Sequence, residues 1–383
     1  MKTLAQPDVP EPVTAGNPVS LRGTSSIGLT TSLPGHAMVG RARRGLHIVV
    51  GLSIALAFLV VLCLQVGSEY INLIKILSLI GQAFQNGDVS RESIGTTGTI
   101  LFHVRLPRVL LSIIVGASLA SVGVALQALL RNPLADPYVL GISSGSALGA
   151  SLAMLFGIGT SFLALTALPL CGFAGGLISL IVVYRIGSSG GRLPVHSLLL
   201  AGVILNAIFT ALIMFITSIM EPNRSFGVIA WLMGTLSTHV SSGLTILLVY
   251  VLIGLLVLYS QATTLNLMTL GDESARSLGV ETERVKKLIF VTSAMVTGAV
   301  VSVSGMIGFI GMVVPHAVRL VLGADHRLLF PASALVGGMF LLLADTAART
   351  LLSPTEIPVG IITALTGGPF FIYLLMRKKG TLS

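Results

Sequence analysis

The feature that most limits this chain is a run of apolar blocks, each close to the thickness of a lipid bilayer. A hydrocarbon core about 30 Å thick is crossed by about 20 apolar residues in a helix. In lipid the backbone must satisfy its own hydrogen bonds, which a helix does within one segment. Such blocks occupy residues 47–66, 109–130, 138–157, 161–184, 195–219, 244–260, 288–304, 307–322, 331–344 and 357–376, the ninth running on as helix to Arg349. Only 10% of the residues are charged, against about 25% in a soluble domain. The expected fold is therefore an all-α polytopic membrane protein of about ten transmembrane helices. The net charge of +9 does not point to nucleic acid, because the basic residues are scattered at span ends and form no stripe. Cys63 and Cys171 lie inside apolar blocks and read as small buried residues; their spacing suggests neither a disulfide nor a metal site.

Between the blocks the chain divides into few parts. Residues 1–46 are rich in Pro, Gly, Ser and Thr and are expected to form a disordered cytoplasmic tail. They do not read as a signal peptide, since the apolar core starts too late. Residues 47–379 form the membrane domain. Within it, residues 71–84 have helical apolar spacing broken by Lys75 and Gln82, which suits a helix lying on the membrane surface. Two prolines, Pro133 and Pro137, make a sharp turn of residues 131–137. Gly141, Gly145 and Gly149 follow at four-residue spacing, which allows another helix to come close. Residues 226–236, with Trp231, suit an interfacial or re-entrant helix.

Ten spans place both termini on one side. Of the 23 Lys and Arg residues, only Lys75, Arg91, Arg105, Arg108, Arg224 and Arg349 then fall outside, so the positive-inside rule puts the termini in the cytoplasm. Two segments match at an offset of 182: Gly116-Ala117 with Gly298-Ala299, Gly123 with Gly305, Pro133 with Pro315, and Val139-Leu140-Gly141 with Val321-Leu322-Gly323. Leu193-Pro194-Val195 resembles Ile357-Pro358-Val359 at a shorter offset. Five spans separate equivalent positions, so the halves of such a repeat are inverted, a layout common in transporters.

The charges that remain are concentrated. The loop 261–287 joins the halves and carries Asp272, Glu273, Arg276, Glu281, Glu283, Arg284, Lys286 and Lys287. It reads as the place where a soluble partner pushes on the membrane domain. Arg105, Arg108 and Arg349 break the inside-positive trend at the outer ends of their spans, where they suit either snorkelling or docking of carboxylates from an external protein. Asp345 stands four residues before Arg349, at helical pairing distance. No charged residue lies at the centre of a span, which argues against a proton-coupled carrier. No GxxxxGK[ST] motif is present, so the chain does not bind ATP through a P-loop. His103, His196 and His316 gain no support as metal ligands. No catalytic constellation and no cofactor site is expected.

Several segments together resemble the permease family of binding-protein-dependent ABC importers for iron-siderophores, haem and vitamin B12. They are RLPR at 105–108, GASLASVGVALQALLRNPLADP at 116–137, LLLAGV at 198–203, WLMG at 231–234, GDESARSLGV at 271–280, GMIGFIGMVVPHAVRL at 305–320 and residues 343–368. The resemblance implies a homodimer or heterodimer of ten-span subunits in a bacterial inner (plasma) membrane, carrying a ferric siderophore, with haem or cobalamin as the alternative. Hydrolysis would belong to a separate cytoplasmic ATPase dimer, and a periplasmic or lipid-anchored binding protein would deliver the substrate. It further implies a coupling helix with Gly271, Asp272, Glu273, Ala275, Arg276, Leu278 and Gly279 as the ATPase contacts. Arg105, Arg108 and Arg349 match the arginines that receive the binding protein. Val195 and His196 fall at the cytoplasmic gate, though they differ from the small hydroxyl pair of the vitamin B12 relative. Outside this resemblance, the rival class is an ion-coupled secondary transporter.

Overall fold

The computed structural model describes residues 34–67, 70–86, 91–158, 164–188, 193–236 and 243–379. Among these, all regular structure is helical. The helices are α1 (Pro34–Gln65), α2 (Leu73–Asn86), α3 (Arg91–Thr99), α4 (Leu106–Leu129), α5 (Ile142–Leu155), α6 (Ala164–Gly187), α7 (Val195–Ile219) and α8 (Pro222–Leu232). They continue as α9 (Leu244–Ser260), α10 (Ala262–Met268), α11 (Asp272–Ser277), α12 (Thr282–Ser304), α13 (Ile310–Leu322), α14 (His326–Thr350) and α15 (Val359–Lys379). A π-helical stretch, Ile100–Arg105, leads into α4, and a 3-10 turn, Pro137–Leu140, precedes α5. Residues 1–33, most of the expected tail, lie outside the described residues; helix begins at Pro34, before the tail's expected end. Residues Gly45–Ser383 form the compact unit that carries everything discussed below.

Each of the ten apolar blocks overlaps a helix among the described residues. Among the described residues, six helical stretches are long and apolar enough to cross a bilayer by themselves, and the pair α9–α10, bent by 44°, is a seventh. Helices α5 and α13, with 14 and 13 residues, reach only about 20 Å at 1.5 Å per residue. Their apolar blocks are interrupted: Gly141 turns the chain between the 3-10 turn and α5 with φ 75°, and Phe309 does so before α13 with φ 71°. Helix α4 is the hub. It is largely buried and packs against α9, α12, α13 and α14.

Glycine sets how closely these helices approach. A Cβ added at Gly116 would lie 2.3 Å from the Gly337 carbonyl oxygen of α14, and one at Gly123 would lie 1.9 Å from that of Gly311. In the second tight pair, a Cβ at Gly149 of α5 would lie 2.2 Å from the Cys171 carbonyl oxygen of α6. Such backbone contact is what small residues provide in lipid, where apolar burial between helices gains little over apolar lipid. The amphipathic segment at 71–84 is helix α2, and its Ile76 and Leu79 pack with Cys63, Leu64, Leu101 and Val109.

The sequence repeat survives in part. Gly116 and Gly298 both lie inside helices, and Gly141 and Gly323 both turn the chain with positive φ beside a helix end. Pro133 lies in a turn whereas Pro315 lies inside α13. The shorter-offset pair fits best: Pro194 and Pro358 each stand immediately before the first residue of a helix, α7 and α15. The two halves join their helices through connections of different length, so a constant offset drifts out of step.

Candidate functional site

Two charged clusters lie at opposite ends of the α4–α14 pair. Helix α4 has 24 residues and is about 36 Å long. Beyond its C-terminus comes Arg131; near its N-terminus is Arg108. Helix α14 runs from His326 at the first end to Asp345 and Arg349 at the second.

At the first end the charged loop folds into α10 and α11. Helix α11 starts at Asp272 because Gly271, with φ 119°, breaks the chain there. It ends in a Schellman motif. Gly279, with φ 85°, donates its N–H to the Arg276 carbonyl at 2.9 Å, and Val280 donates to the Ala275 carbonyl at 3.0 Å. Ala275 is fully buried, while Glu273, Arg276 and Leu278 face outward, Leu278 with 59% of its surface exposed. Leu270 is similarly exposed just before the helix. The arrangement offers two apolar anchors around an outward-facing charged turn, the composition of a protein contact.

This short helix is held by ion pairs from three directions. Asp272 pairs with Arg131, beyond α4, and with Lys286 on α12. Burial pushes the Asp272 carboxyl up, but Lys286, then Arg131 and Arg276, outweigh it and hold it below the ordinary carboxylate value. Arg276 donates to the Thr282 hydroxyl at 2.9 Å and reaches Glu283 at 3.5 Å. Glu283 also pairs with Lys286 at 3.3 Å and accepts the Leu193 N–H, at 2.9 Å, just before α7. Helix α10 is tied to α14 by Asn266, which donates to Asp325 at 2.8 Å and accepts the His326 N–H at 3.0 Å. Val195, half-buried, and His196, exposed, occupy the first turn of α7. The structure thus brings Val195 and His196, expected at a gate, and the residues expected in a coupling helix to one end of the bundle, joined through Glu283.

At the second end the arginines are buried. Arg105 is 3% exposed and donates to the carbonyl oxygens of Leu64 and Gln65 at 2.9 and 3.2 Å, closing the end of α1. Arg108 and Arg349 are each 8% exposed and share one carboxylate, Asp345, which has no exposure. The distances are 2.9 Å from Arg108 and 3.1 Å from Arg349. The expected helical pair of Asp345 and Arg349 is therefore present. Arg108 also donates to Glu356 at 2.8 Å, and this carboxylate is largely exposed. A cleft of about 260 Å³ opens beside it, lined by Arg108, Trp231 of α8, Glu356 and Val359. The three arginines share one end, but they are engaged within the chain rather than standing free on its surface.

Sequence reasoning missed Arg131, Glu283 and Lys286 as the braces of α11, and Glu356 as a partner of Arg108. Arg131 with Asp272 and Arg108 with Glu356 join residues far apart in the chain, and no local spacing signals them. The density of charge in 261–287 pointed only to Glu283 and Lys286.

Comparison with known proteins shows the family. The chain is 44% identical over 285 residues to the cobalamin import system permease protein BtuC of Halobacterium salinarum, covering 74% of this chain and 75% of that protein. It is 44% identical over 286 residues to the hemin transport system permease protein HmuU of Yersinia pestis, covering 73% and 84%. Against the iron(3+)-hydroxamate import system permease protein FhuG of Bacillus subtilis it is 33% identical, covering 85% and 96%. Among solved structures, a metal-chelate type ABC transporter in an inward-facing conformation matches with TM-score 0.74 and 32% identity, over 87% of this chain and 99% of that one. With residues 55–377 matched by the FecCD transport family, the chain belongs to that family, as a multi-pass ABC transporter permease.

Proposed function

We propose that this chain is the membrane-spanning subunit of an ATP-driven importer that moves a metal chelate inward from an external binding protein. The observation that carries this reading is α11, a solvent-facing helix with Leu278 exposed, braced onto α4, α12 and the start of α7. A push on such a helix is delivered to the bundle instead of being lost in a loose loop. Gly271, Asp272, Glu273, Ala275, Arg276, Leu278 and Gly279 form the ATPase contact in this reading, Asp272 and Ala275 from within. ATP binding in a separate ATPase pair supplies the free energy that shifts the permease between its states. A second permease subunit, identical or not, covers the exposed apolar faces of α7 and α15, which carry Leu200, Val203, Phe215, Leu365 and Ile372 among others. Val195 and His196 then stand at the cytoplasmic mouth, both termini lie in the cytoplasm, and the membrane is a bacterial inner membrane.

The arginine end faces the binding protein. Arg349 and Arg108 attract its carboxylates, and Arg105 acts indirectly by fixing α1. For the cargo, the resemblance alone suggests a ferric siderophore. The 44% identity over about 285 residues to permeases named for cobalamin and hemin, against 33% over 330 residues to one named for iron(3+)-hydroxamate, supports haem or cobalamin as the alternative cargo. The test has two stages. The tagged chain is first purified from its own cells in mild detergent, and everything retained is identified by mass spectrometry; an ATPase subunit in equal amount is expected. The complete assembly is then placed in liposomes with its binding protein, and uptake of hemin, cobalamin and a ferric hydroxamate is measured with and without ATP. Uptake driven by an ion gradient, with no ATPase retained, would overturn the importer reading in favour of a secondary transporter.

A further inference from the structure

The carboxylate of Glu283 faces two ways. One oxygen meets Arg276 of α11 at 3.5 Å and Lys286 at 3.3 Å. The other accepts the backbone N–H of Leu193 at 2.9 Å. Leu193 is buried, and Pro194 and Val195 follow it directly into α7. Glu283 itself is in the first turn of α12, so it stands on a third element. One side chain therefore joins the outward-facing helix, the root of α12 and the start of the helix that carries Val195 and His196. Among the described residues, α11 and α7 have no other direct hydrogen bond or ion pair between them or to a shared side chain. The anchor is a backbone N–H to a charged acceptor, a strong class of hydrogen bond, and the half-buried setting protects it from screening.

We propose that Glu283 is the positioning residue that transmits displacement of α11 to the cytoplasmic mouth at Val195 and His196. Motion of α11 draws Arg276, Arg276 draws Glu283, and Glu283 carries the Leu193 backbone and the first turn of α7 with it. Lys286 keeps the carboxylate ionised and oriented while this happens. The inference rests on the reading of α11 as the ATPase contact, and the experiment separates the two.

The complete transporter, with its ATPase subunits, is placed in nanodiscs. The permease carries Cys63→Ala and Cys171→Ala, and an environment-sensitive fluorophore on Val195→Cys. Fluorescence is compared without nucleotide and after trapping with ATP and vanadate, normalised to ATPase subunits retained on each disc. With Glu283 intact, trapping changes the emission. With Glu283→Ala, the change is expected to fall by about tenfold, within the range of coupling between linked sites, while the ATPase remains bound. Glu283→Gln keeps an acceptor for Leu193 but loses the ion pairs, and is expected to lose most of the change as well. A response equal to that of intact Glu283 in either variant that assembles overturns the proposal. Absence of the ATPase from discs that carry intact Glu283 overturns instead the reading of α11.

Discussion

The two ends of the α4–α14 pair treat charge in opposite ways. At the arginine end the ions are buried and share partners: Arg108 and Arg349 converge on Asp345, which has no exposure. At the α11 end Arg131, Asp272 and Arg276 are partly exposed around a buried Lys286, and the buried carboxylate nearby, Asp136, has the Tyr138 N–H at 2.8 Å as its hydrogen-bond donor and no ion-pair partner among the described residues. Desolvation makes a buried pair costly to break, whereas an exposed pair breaks cheaply. One end is therefore built to hold a shape, and the other to move while staying connected. This division suits the proposed importer, in which a binding protein would dock at one end and an ATPase would act at the other.

The strongest test of the contrast is a pair of matched substitutions. Asp345→Asn leaves two buried guanidinium groups short of their counter-ion and is expected to destabilise the chain by about 3–5 kcal/mol. Asp272→Asn, at the other end, removes a carboxylate that is one-third exposed, and its buried partner Lys286 keeps Glu283, so the expected cost is about 1 kcal/mol. Thermal unfolding midpoints in one detergent measure both. Similar losses for the two variants would erase the distinction.

Next in size is an effect on partnership rather than on stability. Leu278→Asp puts a charge on an exposed apolar anchor of the α11 turn. ATPase retention in a pull-down is expected to weaken by about 2–4 kcal/mol, the loss typical of a central apolar anchor, with the unfolding midpoint unchanged. Full retention would remove Leu278 from the contact.

Asp136 gives a smaller effect with a defined pH dependence. Burial raises its carboxyl to about 6, against an ordinary value of 3.8, and the Tyr138 N–H only partly offsets this. A folded-state value above the unfolded one means that the folded form binds the proton more tightly. The cost of holding the charge is absent below pH 3.8, grows as pH rises from 3.8 to about 6, and is constant above that. Asp136→Asn keeps an oxygen for Tyr138 and removes the charge, so it is expected to stabilise the protein by up to about 3 kcal/mol at neutral pH, with the gain vanishing in acid. A gain that does not change with pH would assign the effect to something other than ionisation.

How much of this was legible in the sequence follows from the range of each signal. Helices α7 and α9 coincide with residues 195–219 and 244–260 as read from hydropathy, because Pro194 and Gly243 mark their starts and the blocks are uninterrupted. The shortness of α5 and α13 was hidden, because apolar residues continue through the turns at Gly141 and Phe309. The Schellman stop at Gly279 was readable from one glycine after an amphipathic turn. Asp345 with Arg349 was readable as a four-residue helical pair. Arg108 with Asp345 and Arg131 with Asp272 were not, since they form only when distant helices pack, and α4 meets α14 through glycine contacts that fix the distance but not the partner.

That limit bears on the smallest predicted effect. The arginines looked available to an external protein when read along the chain, yet Arg108 is already bonded to Glu356. Glu356 is the more exposed of the two carboxylates on Arg108, so it is the one an incoming carboxylate displaces first. An exposed ion pair contributes about 0–1 kcal/mol, so Glu356→Gln is expected to leave the unfolding midpoint nearly unchanged. Releasing Arg108 from this competitor is expected to tighten docking of the binding protein by up to about 1 kcal/mol, roughly a fivefold fall in Kd. Titration of the purified binding protein onto the permease in nanodiscs measures it. Weaker docking in the variant would mean that Glu356 orients Arg108 for the partner instead of competing with it, and the two ends of the molecule would then share a design in which accessible carboxylates hold arginines ready for use.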